Sequence, residues 1–181
     1  MSHITAIIPA AGKPTNKILS HTNLPDTMLP INGKPVIGYI LEDLLSRNII
    51  DVIVILNNND TQTENYIKKK FGAKLHLTTT YNDAYERGIG YSIHCAVVHL
   101  RETQKVLIYL GDTIYKGALD FETDFLVTTS DYESSDKWCF IERTDAGDRF
   151  INKPKEYSGN GQVLSGQIGR ASCRERVLNL V

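Results

Sequence analysis

The chain has 181 residues, enough for one substantial domain around a single buried core and too few for two ordinary ones. Its 20 basic and 21 acidic side chains nearly cancel, which excludes a global electrostatic pull toward nucleic acid or an anionic membrane and leaves binding to local sites. The start lacks the basic segment and long apolar run of a secretory signal, and no stretch approaches the roughly 20 apolar residues that span a bilayer. Cys95, Cys139 and Cys173 have no close pairing of the kind that builds a zinc site or disulfide framework, so a cytoplasmic protein with reduced thiols is expected.

Residues 4–9 form a short apolar run that predicts a buried strand, followed by a long loop. Pro35 is suited to opening a helix. Ile37, Ile40, Leu41, Leu44 and Leu45 then fall on one helical face, and the helix should stop near Asn48. Residues 51–56 carry the β-branched run Val52, Ile53, Val54 and Ile55, the composition of a central strand covered on both faces. Three asparagines end it. Residues 61–71 predict a second helix, with Glu64 and Lys68 one turn apart and Ile67 with Phe71 toward the sheet. Residues 75–80 return as a strand, 91–101 as a helix, and 106–110 as a buried strand that ends at Gly111 and Asp112. Beyond lie shorter predicted strands at 125–129, 138–143 and 149–153, with a turn at 145–148. Alternating strands and helices followed by strands predict an α/β fold of Rossmann-like type, a three-layer αβα sandwich on a mixed, mainly parallel sheet.

From Gly159 onward glycine, serine and arginine replace apolar periodicity, and neither strand nor amphipathic helix is predicted. The string IGRASCRERV at 168–177 looks like translated sequencing adapter. The expected organisation is therefore an incomplete domain over 1–163 and a non-native tail over 164–181, with the natural gene continuing past about Val163.

Chemistry concentrates in four segments. The loop after the first strand, IIPAAGKPTNKILSHTNLPDTMLPINGKPV, carries glycine where backbone N–H groups can surround phosphates, but has neither GxxxxGK[ST] nor GxGxxG. Then come RGIGYSIHCA, YLGDTIY and DRFINKP. Taken alone, Asp112 is a strand-end turn residue, Lys153 a surface charge, and Gly88 with Gly90 a helix start. Trp138 and Phe140 read as core, Asp131 and Asp136 as loop surface, and the histidines share no metal-binding spacing.

In order and spacing, the four segments together resemble the sugar-phosphate nucleotidylyltransferases, over roughly residues 3–157. Ala11, Gly12 and Thr15 match that family's glycine-rich loop, and Pro25, Met28, Leu29, Pro30, Ile31, Gly33, Lys34 and Pro35 its Pro-Lys-Pro-Met-Leu-Pro and Lys-Pro frame. Gly88 and Gly90 match its Gly-Leu-Gly-His-Ala stretch, Asp112 its magnesium-binding Gly-Asp, and Asn152 with Lys153 its sugar-phosphate element. The resemblance implies the nucleotide-diphospho-sugar transferase type of fold and transfer of a nucleoside monophosphate from an NTP to a sugar-1-phosphate, with release of pyrophosphate. It implies a nucleotide held by Ala10, Ala11, Gly12, Thr15, Gly88 and Gly90, and Mg2+ held by Asp112. Three positions depart from the pattern. Pro14 replaces a loop glycine, Asn16 the loop arginine and Asp26 the lysine of Pro-Lys-Pro. Lys13 and Lys17 are the candidate replacements for the missing cations, though lysine lacks arginine's two-pronged phosphate grip. These departures motivate a second expectation, a catalytically impaired domain that binds nucleotide or sugar phosphate for regulation. A glycosyltransferase is a third, weakened because Thr113 and Ile114 stand where a DxD metal pair is needed.

Overall fold

A computed structural model describes residues 3–12, 24–101, 105–145 and 147–169. Its frame is set by three β-branched runs. Strand β1 (Ile4–Pro9) is followed by a hairpin of two-residue strands, β2 (Pro30–Ile31) and β3 (Lys34–Pro35), which turns at Asn32 and Gly33. Helix α1 (Val36–Ser46), strand β4 (Asp51–Leu56), helix α2 (Thr61–Phe71) and strand β5 (His76–Tyr81) come next. Helix α3 (Ile89–Val97) and strand β6 (Lys105–Tyr109) complete the α/β half. Strands β7 (Phe125–Thr129), β8 (Cys139–Thr144), β9 (Gly147–Asn152) and β10 (Gln162–Gly169) extend the sheet.

The sheet order is β5-β4-β1-β6-β10-β8-β9, with β7 pairing β10. The first four strands are mutually parallel, while β10 runs antiparallel to β6, β7 and β8, and β8 to β9. Because side chains alternate across a strand, each central strand feeds two cores. Ala6 and Ile8, Val52, Val54 and Leu56, and Leu107 and Tyr109 pack with α1 and α2. Ile7, Ile53, Ile55, Val106 and Ile108 pack with Ile93, Ala96 and Val97 of α3 on the opposite face. Helices on both faces of the parallel strands make the three layers that the sequence predicts, on a mixed sheet.

Local chemistry fixes the helix ends. Asp60 caps α2 by accepting from the Thr63 N–H at 3.0 Å. Helix α1 stops before Asn48, whose φ of 60° is left-handed. Glu64 ties α2 to β5: its carboxylate accepts from Lys68 at 2.6 Å, Tyr81 Oη at 2.8 Å and Thr79 Oγ1 at 3.2 Å. The Lys68 hydrogen bond, followed by that of Tyr81, holds this carboxyl below the usual range.

The segment past Gly159 corrects the sequence reading, which predicts no strand there. Strand β10 crosses position 163 and takes partners from β6, β7 and β8, with Val163 buried between Thr129 and Phe140. Partners distant in sequence supply the pairing that its own glycine- and serine-bearing composition does not announce. No helix among the described residues is long and apolar enough to cross a membrane. Cys95 and Cys139 are free thiols, and Cys173 lies outside the described residues.

Leu107 is fully buried in the middle of β6. Leu107→Ala is expected to cost about 2–5 kcal/mol, read as a lower midpoint in urea with an unchanged slope.

Candidate active site

The site grows from hydrogen bonds that continue the parallel ladder past the strand ends. Asn82 N–H donates to Leu56 O at 2.9 Å, Ala10 N–H to Ile55 O at 2.8 Å, and Gly111 N–H to Pro9 O at 3.2 Å. The segments following β5, β1 and β6 are thereby fastened to one rim, the carboxyl ends of the parallel strands. Open α/β sheets bind ligands at that rim.

A cleft of about 220 Å3 opens there. Ala10, Ala11 and Gly12 line it from the first loop, Asp26 and Thr27 from a short 3-10 helix, Gly88, Ile89 and Ser92 from the start of α3, and Gly111 with Asp112 from the end of β6. Five residues singled out from the sequence, Ala10, Ala11, Gly12, Gly88 and Asp112, therefore meet at one place. Gly90 sits in the first turn of α3, two residues past Gly88. Lys13, Thr15, Asn16 and Lys17 lie outside the described residues. Asn152 and Lys153 stand at the end of β9 and are not part of the cleft lining; the Lys153 N–H donates to Trp138 O at 2.9 Å. Lys34, within the Lys-Pro frame, pairs with Glu42 and lies 3.7 Å above the Tyr39 ring, so its charge is engaged at α1.

Two glycines are required by shape. Gly111 brings the end of β6 against the first loop: a Cβ there would stand 2.8 Å from Pro9 O and 3.0 Å from Thr27 Cγ2. Gly88 has φ 85° and ψ −179°, a conformation essentially restricted to glycine. It redirects the chain into α3 at the wall of the cleft.

The loop carrying Asp112 is fixed from behind. Tyr109 is fully buried and its hydroxyl accepts from the Tyr115 N–H at 3.0 Å, bracing the chain on both sides of Asp112. Burial pushes the Tyr109 phenol up to about 12. The Asp112 carboxylate accepts from Thr113 Oγ1 at 3.1 Å.

Asp112 and Asp26 face the same cleft. Among the described residues no three His, Cys, Asp or Glu side chains stand together to hold a metal ion. Magnesium does not need three: it commonly takes one or two carboxylates, with waters and substrate phosphates filling the remaining positions. Asp112 and Asp26 are the carboxylate donors that the described lining offers, a number and chemistry compatible with that requirement.

The sequence reading did not single out Thr27, Tyr85, Ile89, Ser92 or Asn82. One signal was available: Ser92 occupies the alanine position of the Gly-Leu-Gly-His-Ala pattern, and an exception within a matched motif marks a side chain with its own role.

Taken together, an open α/β sheet with helices on both faces and a cleft at the carboxyl rim defines the class of α/β domain that binds a ligand at the strand ends. The chain belongs to the MobA-like NTP transferase domain family, which its residues 6–122 match. It is 29% identical over 182 residues to choline-phosphate cytidylyltransferase of Streptococcus pneumoniae, covering 97% of this chain and 74% of that protein. It is 30% identical over 132 residues to UTP–glucose-1-phosphate uridylyltransferase of Staphylococcus epidermidis, covering 62% of this chain and 46% of that protein. The chain thus spans under half the length of the uridylyltransferase. Its fold matches that of a putative glucose-1-phosphate thymidylyltransferase from Bacillus anthracis with a TM-score of 0.77 at 14% identity, over 96% of this chain and 73% of that one.

Removing the Tyr109 hydroxyl leaves the Tyr115 N–H without its acceptor, so Tyr109→Phe is expected to cost about 1–3 kcal/mol at neutral pH. Because the folded phenol titrates near 12 against an ordinary value of 10.0, its contribution is complete below pH 10 and is lost as pH rises toward 12. Chemical denaturation across that window should show a shallower alkaline loss in the phenylalanine variant.

Proposed function

We propose that this chain is the nucleotide-binding part of an enzyme that transfers a nucleoside monophosphate from an NTP to a sugar-1-phosphate, releasing pyrophosphate. The observation that carries the reading is the convergence of Ala10, Ala11, Gly12, Gly88 and Asp112 on one cleft at the carboxyl rim. Family membership and the uridylyltransferase relative support it.

In the reaction an oxygen of the acceptor phosphate attacks the α-phosphorus. A new P–O bond forms, the bond to the β-phosphate bridging oxygen breaks, and pyrophosphate leaves with that electron pair. Such a step asks the protein for alignment and charge neutralisation more than for covalent participation. Ala10, Ala11 and Gly12 present backbone to the triphosphate, and the glycine lets it approach closely. Gly88 and Gly90 shape the wall for the base. Asp112 is the magnesium ligand, and magnesium, when bound, neutralises charge on the phosphates. Lys13 and Lys17 supply the cations that Asn16 and Asp26 do not. Asn152 and Lys153, outside the cleft lining at the end of β9, are assigned to the acceptor's phosphate through the sequence motif alone.

Asp26 adds a constraint. Asp26 stands where the family pattern has a lysine, and the described lining holds no lysine or arginine, so the nucleotide enters as its magnesium complex. A second acceptor, choline phosphate, is favoured by one observation: a relative aligned along nearly the whole chain is a choline-phosphate cytidylyltransferase.

Pyrophosphate release with ATP, GTP, CTP, UTP and dTTP, each offered glucose-1-phosphate and choline phosphate, tests the reading. One pair should turn over in magnesium. Asp112→Asn should then lower the rate about 10²–10³-fold, whereas Asp26→Lys should raise affinity for metal-free NTP. Silence across the whole panel would overturn the assignment.

A further inference from the structure

The cleft is chemically divided. Asp26, Asp112 and the Gly12 backbone are its charged and polar lining, while Tyr85, Gly88, Ile89 and Ser92, from the segment leading into α3, are uncharged. A nucleotide has the same division, with phosphates at one end and a flat, neutral heterocycle at the other. The uncharged wall suits the base: Ile89 is 48% exposed and offers apolar surface, and Ser92 adds an aliphatic hydroxyl beside the Tyr85 ring.

Behind Ser92 lies Asn82, fully buried at the end of β5. Its side-chain orientation is fixed without ambiguity. The Ala84 N–H, which can only donate, meets Asn82 Oδ1 at 2.8 Å, so the amide nitrogen must be the atom turned to Ser92. Asn82 Nδ2 donates to Ser92 Oγ at 2.8 Å. A serine hydroxyl has two acceptor positions and one proton. With Asn82 donating to the oxygen, the proton is left to find an acceptor elsewhere. Within the helix one acceptor is the Gly88 carbonyl one turn back, which takes the Ser92 N–H at 3.4 Å and keeps a second acceptor position. The other direction open to the proton is a ligand in the cleft, which Ser92 lines. Ser92 is only 6% exposed, so a hydrogen bond made there is sheltered from competing water.

Resting on the reading that the cleft takes an NTP, we propose that Asn82 is a positioning residue for base recognition: it holds the Ser92 hydroxyl so that its proton is presented to a ring carbonyl or ring nitrogen of the nucleotide base. Asn82 touches no substrate. It acts through Ser92, while its bonds to Leu56 and Ala84 anchor it to the sheet.

The test is equilibrium binding of ATP, GTP, CTP, UTP and dTTP as magnesium complexes, and of magnesium pyrophosphate, to the full chain and to Ser92→Ala, Ser92→Thr and Asn82→Asp. Wild type should prefer one base. Ser92→Ala should weaken the preferred NTP roughly three- to tenfold, the worth of one neutral hydrogen bond, and leave pyrophosphate unchanged, so that preference among bases narrows. Ser92→Thr should retain the preference. Asn82→Asp should narrow it as well, because a carboxylate accepts the hydroxyl proton and turns it away from the base. Equal losses for all five nucleotides and for pyrophosphate, or no change on removing the hydroxyl, would leave the pair purely structural and overturn the proposal alone. A wild-type chain that binds neither nucleotide nor pyrophosphate would defeat the NTP reading itself, and this inference with it.

Discussion

Parallel registration of β1 between β4 and β6 is the constraint from which the site follows. Thr5 to Pro9 stand opposite Asp51 to Ile55, and Ile4 to Ile7 opposite Lys105 to Ile108. Three parallel strands in this alignment end at nearly the same level. The ladder bonds that overrun them, from Ala10 to Ile55 and from Gly111 to Pro9, then set where each following loop begins. A shift of one residue in β1 would exchange Ala6 and Ile8 with Ile7 between the two cores. It would also move Gly12 away from Asp112. Core packing and site geometry are therefore governed by one register.

Electrostatics distinguishes this cleft from a generic phosphate pocket. The chain as a whole is nearly neutral, so attraction for a triphosphate must be local. The described lining contributes two carboxylates and no lysine or arginine. Under the proposed function, cation from solution and the lysines following Gly12 would reconcile such a lining with an anionic substrate. On this account Asp26 shifts dependence from a fixed protein cation toward the metal complex, which is a change in what binds rather than a loss of the fold's purpose.

Most of the α/β half was legible in the sequence because its signals are local. Strands β1 and β4 and helix α2 begin and end where apolar, β-branched runs and the spacing of Glu64, Ile67, Lys68 and Phe71 place them. Gly12, Gly88 and Asp112 were found through motif order, and their convergence needed only the rule that parallel strands share a rim. Other features depended on partners far along the chain. Strand β10 has no apolar rhythm and exists through β6, β7 and β8. Asn82 looks like a turn residue until the fold brings it against Ser92, ten residues away and one helix later. Lys34 matched a motif, yet Glu42 and Tyr39 on α1 claim its charge. Proximity alone decides such cases, and linear spacing does not encode it.

The most direct measurement of the central claim is an amide NMR titration of the chain with an NTP complexed to paramagnetic Mn2+. Broadening should reach the amides of Gly12, Gly88 and Asp112 together, at one substoichiometric metal level, and spare the exposed lysines 68–70 on α2. Broadening centred on those lysines, or loss of the Asp112 signal while Gly12 and Gly88 stay sharp, would mean that the rim cleft does not hold a metal-bound triphosphate.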